Sequence, residues 1–502
     1  MTETTIDALI RLRGAHDGAH HAVIDPSSRI TYHELDLTSR ELAAVFVGAG
    51  VRKGTRVGLI MPNSVRWVQL AVALTRIGSV LVPLSTLLQP PELVAQLRIS
   101  AVQRLISVQE FRGHRYLDEL PSADAKLPAL HGVWTGDQIA QSHRDDDALR
   151  TAEALSTMVT PSDPMAIVFT SGSSGPPKAT VHSHGSALGA VASGLAARCI
   201  DADTRLYLPM PFFWVGGFGG GVLSALLAGA TLVTEASPSP QNTLRLLEQE
   251  RVTLFRGWPD QAEALARQAD SLDVDLSSLR PGSLDALLPT GKRAKPGARA
   301  KLFGMTESFG PYCGYPADTD MPRSAWGSCG KPFDGTELRI VDPESGAPMP
   351  PGTVGIIQIR GPHTLRGMCR RTREDLFTVD GFYPTGDLGH LDDDGFLFYH
   401  GRCDDMFKVR GATVYPSEVE EALRTIDGVQ KAYVTDVDGQ VGAAVVCDAV
   451  PTIDRLRSEA RKVLSTFKVP TRWLVLESDD AVPRGATGKV DVGCLREMLR
   501  RQ

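Results

Sequence analysis

Long apolar runs, paired cysteines and a strong charge imbalance are all missing from this sequence, and each absence removes a class of protein. No apolar run reaches the roughly 18 to 20 residues a membrane helix requires, so no spanning helix is expected. The N-terminus, MTETTIDALIRLRGAHDG, carries acids and no apolar core, and does not read as a secretory signal. The seven cysteines stand singly without a CxxC pair. That argues against a zinc site or a disulfide framework, and for reduced thiols in a cytoplasmic protein. A formal net charge of -6 over 502 residues gives no general attraction for nucleic acid, and none is expected as a partner.

What is present is turn-rich: 48 glycines and 33 prolines separate short elements. RVGLIMPNS (56–64), GSVLVPLS (78–85), MAIVFTSG (165–172) and GATLVTEAS (229–237) are apolar runs that end in turn residues. Helical spacing fills segments between them, as in VRWVQLAVALTRIG (65–78) and QNTLRLLEQERV (241–252). The alternation predicts an α/β fold with buried, mostly parallel sheets. Beyond residue 330, TELRIVD and VGIIQIRG read as antiparallel strands of a smaller β unit. From 402 onward the texture is that of a small α+β domain, with Ser417 and Glu420 spaced as a capping box. The expected organisation is a large N-terminal domain over 1–401, a hinge at 402–404 and a small C-terminal domain over 405–502.

The stretch FTSGSSGPPKAT (169–180) leaves the carboxyl end of a buried strand, where open α/β sheets place ligands. Its glycines let backbone N–H groups turn toward an anion, and its hydroxyls and Lys178 add donors and a charge. The spacing is not that of a Walker loop, and the two prolines before Lys178 argue against a helix starting there. By composition alone the loop also fits a solvated surface turn.

Three further stretches follow in order: FGMTES (303–308), FYPTGDLGHLDDDGFLFYHGRCDDMFKVRGATVYPSEVEEAL (382–423) and VPRGATGKVD (482–491). With these four motifs the chain resembles the adenylate-forming superfamily of acyl-CoA synthetases, luciferases and peptide-synthetase adenylation domains, over about residues 25 to 495. The resemblance implies a site between the large domain and a small rotating one. It also implies a two-step reaction: acyl-adenylate formation from ATP, then transfer to a nucleophile with release of AMP.

By the same resemblance, Thr170, Ser171, Gly172, Ser173, Ser174, Gly175 and Lys178 close over the β- and γ-phosphates of ATP. Phe303 and Gly304 lie against adenine, Thr306 bonds the α-phosphate, and Glu307 holds Mg²⁺, a hard ion suited to carboxylate oxygen. Asp387 accepts from the ribose hydroxyls and Arg402 contacts ribose or phosphate. Lys489 swings in as the catalytic cation, Asp404 is the hinge, and Lys408, Arg410 and Gly411 approach the thioester site.

The sequence departs from the family pattern at three places. Ala179 follows Lys178 where glycine is usual. A small-residue stretch resembling GGAPL is replaced by SLDALLPTGKRAKPGARAK, which carries Lys292, Arg293, Lys295, Arg299 and Lys301 and puts the adenine-amino contact in doubt. This basic stretch reads either as a solvated loop or as an attractor for an anion such as a CoA phosphate. In PMPFFWVGGFGGG (209–221), Trp214 takes a place where histidine is usual; Phe213, Trp214, Gly216 and Gly217 form an expected apolar acyl pocket.

The reading is an ATP- and Mg²⁺-dependent, AMP-forming acyl-CoA synthetase of the fatty-acyl type, for an apolar fatty, alicyclic or aromatic acid, with CoA as co-substrate. No carrier-like segment follows Lys489, so a fused peptide-synthetase module is not expected, although a separate carrier protein stays open as acceptor. The alternative is a ligase that passes the adenylate to an amine, including a diazotase-like enzyme that activates nitrite. A nucleotide-binding regulator without catalysis would have lost Glu307 or Lys489, and both are present. The resemblance leaves a homodimer open.

Overall fold

The computed structural model describes residues 4–118, 120, 127–141, 146–170, 177–403, 407–409, 412–447, 451–485 and 490–502. They form two compact units: Met1–Glu337 with Arg360–Gly381, and Leu338–Ile359 with Phe382–Gln502. Residues on both sides of the expected hinge at 402–404 therefore share the second unit.

The first unit holds two larger sheets. In the seven-stranded sheet the order is Gly367–Met368, Lys178–Ser183, Pro164–Thr170, Val80–Leu84, Arg56–Ile60, Arg104–Ser107 and Gly132–Thr135. Its strands from Pro164–Thr170 to Gly132–Thr135 pair in parallel, and the two remaining pairings are antiparallel. The five-stranded sheet runs Leu254–Phe255, Arg205–Tyr207, Thr231–Val233, His21–Ile24, Arg29–Thr31, parallel except for the last hairpin. All four apolar runs form strands, and the helical segments become helices Val65–Arg76 and Pro240–Gln249.

Local chemistry places these helices. Ser64 caps the helix Val65–Arg76 by accepting from the Trp67 N–H at 3.1 Å, and that helix buries Trp67 completely. Trp67 meets Phe218 edge-on at 5.4 Å, Phe218 meets Phe309 at 6.0 Å, and Phe309 meets His182 at 4.9 Å. This aromatic chain runs from the core to the turn that carries Thr306 and Glu307, so core packing positions that turn.

Most of a four-stranded sheet lies in the second unit, ordered Glu337–Val341, Gly355–Arg360, Tyr383–Leu391, Leu397–Arg402, and its last two pairings are antiparallel. A hairpin Phe407–Val409/Ala412–Val414 and the sheet Val429–Val437, Gln440–Cys447, Arg472–Leu476 follow. The capping box at Ser417 is not formed. Helix Pro416–Arg424 begins with Pro416, which needs no acceptor for a backbone N–H, and Tyr415 is its N-cap. Ser417 instead donates to the His400 carbonyl at 2.5 Å, and Glu420 accepts from the Val434 N–H at 2.9 Å. Both side chains tie the helix to neighbouring strands. Among the described residues no helix is long and apolar enough to cross a membrane.

Candidate active site

In the first unit, Thr170 and Lys178 are register partners at the mouth of an antiparallel pair. Ser171, Gly172, Ser173, Ser174 and Gly175 lie outside the described residues. The stem of the candidate phosphate loop is thus a β-hairpin, where a Walker loop would lead from strand to helix.

The strand that begins at Lys178 ends near His182, which is fully buried. Its Nε2 lies 2.8 Å from the Thr306 carbonyl oxygen, and since a carbonyl only accepts, Nε2 carries the proton. Nδ1 then carries a lone pair without a partner among the described residues. Burial lowers the pKa of His182 to about 4, so the ring is neutral at pH 7. The next carbonyl, that of Glu307, accepts from the Leu365 N–H at 2.8 Å. Two successive carbonyls of the Thr306–Ser308 turn are therefore pinned from different elements. The turn ends at Phe309, whose φ of 53° is left-handed. Glu307 is 3% exposed.

Phe303 packs edge-on against Tyr312 at 5.5 Å. A Cβ on Gly304 would stand 2.1 Å from the Gly310 oxygen and 2.3 Å from Pro311 Cα, so only glycine lets this hairpin cross itself.

The residues of the expected acyl wall pack as follows. Phe213 is buried, and Trp214 meets Phe213 at 5.5 Å and Trp258 at 6.1 Å, the two indoles perpendicular. A Cβ on Gly217 would fall 2.1 Å from the Pro211 oxygen, so this glycine serves close backbone packing; at Gly216 it would meet the Met210 sulfur at 2.7 Å. The π-helical turn Phe218–Leu223 follows. In the basic segment, Arg293 donates to the Leu288 carbonyl at 2.7 Å and Arg299 pairs with Asp320 at 2.8 Å, while Lys292, Lys295 and Lys301 are exposed.

In the second unit, Asp387 and Arg402 are register partners on Tyr383–Leu391 and Leu397–Arg402. Arg402 Nη1 donates to Asp387 Oδ1 at 3.2 Å and to the Thr385 carbonyl at 2.9 Å. Gly386, at φ 76°, leaves room for that guanidinium: a Cβ there would lie 2.8 Å from Arg402 Nη2. Lys408 lies on the strand Phe407–Val409, whereas Asp404, Arg410, Gly411 and Lys489 lie outside the described residues.

His182 and Trp258 were not singled out from the sequence. An isolated histidine in a buried strand carries no spacing signal, and Trp258 reaches Trp214 only through the fold.

The AMP-binding enzyme family model matches residues 11–368. A propanoyl:CoA ligase of Mycobacterium tuberculosis, whose acid is a 7a-methyl-1,5-dioxo-octahydroinden-4-yl propanoate, is 32% identical over 95% of this chain and 96% of its own. A feruloyl-CoA synthase of Amycolatopsis sp. is 31% identical over 95% of both. The crystal structure of the anthranilate CoA ligase AuaEII in complex with anthranoyl-AMP superposes with a TM-score of 0.81 at 24% identity, covering 100% of this chain and 98% of that one, which speaks for the fold. The chain belongs to the AMP-binding enzyme family. Within it, the expected class of AMP-forming acyl-CoA ligase is borne out.

Proposed function

We propose that this protein adenylates a ring-bearing carboxylic acid and passes the acyl group to CoA. The observation that carries the nucleotide half is the His182–Thr306 hydrogen bond. It joins two residues 124 positions apart, so that the strand begun by Lys178 holds the Thr306–Glu307 turn. The perpendicular Trp214–Trp258 pair supports a flat or cyclic acid, because an aromatic face and edge offer a large apolar surface in fixed geometry. The relatives named above act on, or bind, acids with ring systems.

In this reading, a carboxylate oxygen of the acid attacks the α-phosphorus of ATP, and pyrophosphate leaves. Thr306 donates to the α-phosphate and Lys178 faces the departing phosphates. Lys489 stabilises charge as it builds. Glu307, a single carboxylate on a pinned turn, fits Mg²⁺, which takes one or two protein carboxylates alongside substrate phosphates and water. When bound, the ion neutralises phosphate charge. The CoA thiol sulfur then attacks the acyl carbon, the bond to AMP breaks, and the thiol proton passes to solvent. Asp387 holds the ribose throughout, and the chain turns at 402–404 between the two steps. Amine transfer draws no support from the named relatives.

The test is acid-dependent ATP–pyrophosphate exchange without CoA, over fatty, alicyclic and aromatic acids, followed by CoA-dependent release of AMP. Exchange with a ring acid and CoA-dependent AMP release are expected. AMP release that needs an amine and ignores CoA would overturn the reading.

A further inference from the structure

Guanidinium groups are seldom taken out of water without carboxylates. Arg76 follows that rule: it is 1% exposed, and its Nη2 reaches Asp7 at 2.6 Å and Asp36 at 3.0 Å. Two others do not. Arg198 is buried and donates only to neutral oxygens: Gly194 O at 3.1 Å, Ser224 Oγ at 3.0 Å and Val191 O at 2.6 Å. Burial lowers its pKa to about 10, with a further push from the charge of Arg256. Arg256 follows the strand Leu254–Phe255, and its Nη1 donates to the Gly282 carbonyl at 2.9 Å. Its Nη2 is buried and has no hydrogen-bond partner among the described residues. Neither Arg198 nor Arg256 has an ion pair among the described residues.

The unpaired donor lies on the segment that carries Trp258, one of the two indoles. Arg256 stands two residues before Trp258, which meets Trp214 at 6.1 Å. Ser224, the hydroxyl partner of Arg198, follows directly on the π-helical turn that Trp214 leads into. Gln261, on the helix Pro259–Leu272, adds a buried Oε1 that also lacks a partner among the described residues. An unmade hydrogen bond of this kind is costly, and more so for a charged group. An oxygen atom supplied by a ligand would remove that cost.

We propose that Arg256 is a specificity residue: its free Nη2–H donates to an oxygen on the part of the acid remote from the reacting carboxylate. The protein therefore takes oxygenated ring acids in preference to their plain hydrocarbon counterparts. The inference rests on the function proposed above, with the acid lying along Trp214 and Trp258. The two guanidinium charges, without an ion pair among the described residues, favour an acceptor with a strong dipole or a negative charge, such as a ring carbonyl or a second carboxylate.

The experiment compares matched acids, 3-(4-oxocyclohexyl)propanoate and 3-cyclohexylpropanoate, by kcat/KM in ATP–pyrophosphate exchange, with 3-(4-carboxycyclohexyl)propanoate as a third arm. It uses wild type, Arg256→Met and Arg256→Gln. The wild type is expected to prefer the oxygenated acids by about tenfold or more, the worth of one hydrogen bond to a charged donor. Arg256→Met is expected to bring the ratio close to one, and Arg256→Gln to leave part of it. A wild-type ratio near one overturns the inference without any variant, so a misfolded Arg256→Met cannot rescue it. A preference that survives undiminished in Arg256→Met also overturns it. Exchange with all three acids at similar rates would remove only this inference. No exchange with any acid in the wider panel would remove the proposed function, and this inference with it.

Discussion

Asp387 and Arg402 face each other across two antiparallel strands, with the guanidinium Nη1 3.2 Å from the carboxylate Oδ1 and 2.9 Å from the Thr385 carbonyl. Arg402 is thereby fixed at two points, and it orients a carboxylate that is only 7% exposed. In the proposed site Asp387 accepts from the ribose. Arg402→Met is expected to lower AMP affinity by about tenfold, the worth of one charge-assisted hydrogen bond, and Asp387→Asn by more. Titration calorimetry with AMP checks both; unchanged affinity in the two variants would remove the pair from the nucleotide site.

His182 acts on the site through the Thr306 carbonyl and is a positioning residue. His182→Phe keeps a ring against Phe309 but loses the donor, and is expected to reduce kcat for pyrophosphate exchange by about tenfold while KM for ATP moves little. His182→Gln, whose amide N–H can reach toward the same carbonyl, should recover part of the loss. Equal losses in both variants, accompanied by equal falls in Tm, would mean the histidine serves folding alone.

Two buried imidazoles set an acid limit on stability. Burial lowers both His182 and His184 to about 4. An unfolded imidazole takes up its proton near 6.5, so between about pH 6.5 and pH 4 the unfolded chain binds more protons than the native one. Stability is therefore complete above that window and falls as pH drops through it, by on the order of 1 kcal/mol per pH unit for each imidazole. Urea midpoints measured from about pH 8 down to about pH 5 should be level at first and then fall. His182→Phe should flatten part of the slope; an unchanged slope would assign it to other groups.

The hairpin under Thr306 tolerates no side chain at Gly304. Gly304→Ala would place a methyl 2.1 Å from the Gly310 oxygen, whereas Gly367→Ala meets nothing within 4 Å. A fall in Tm, with loss of exchange activity, is expected of the first variant and not of the second. Equal behaviour in thermal melts would show that the crossing relaxes at little cost.

Lys489 is proposed to act in the first half-reaction. Lys489→Ala is expected to cut acid-dependent pyrophosphate exchange by about a hundredfold or more. Thioester formation from a supplied acyl-adenylate should survive much better. Equal losses in both assays would assign the lysine to binding.

The four motifs and the alternation of short apolar runs with helical segments made the fold class legible, because both are patterns along the chain. Single contacts between distant residues were not. Nothing in ATVHSHG distinguishes a histidine that donates to Thr306 from an ordinary core residue, and Arg256 gains meaning only once the fold leaves its buried Nη2 without a partner among the described residues. The spacing of Ser417 and Glu420 pointed to a cap that Pro416 made unnecessary, and both side chains found partners on other strands. Gly216 and Gly217 read as part of an expected acyl pocket, and no pattern in the sequence shows that Gly217 also accommodates the Pro211 carbonyl.

The Ser417 hydroxyl donates to the carbonyl of His400, across the residues at which the chain is proposed to turn. Gly401, whose missing Cβ would lie 2.8 Å from that hydroxyl, is what admits it. If the chain swivels at 402–404 in each catalytic cycle, this bond is broken on the outward stroke and remade on the return. The serine then works as a detent: a weak click-stop on that turn of the chain.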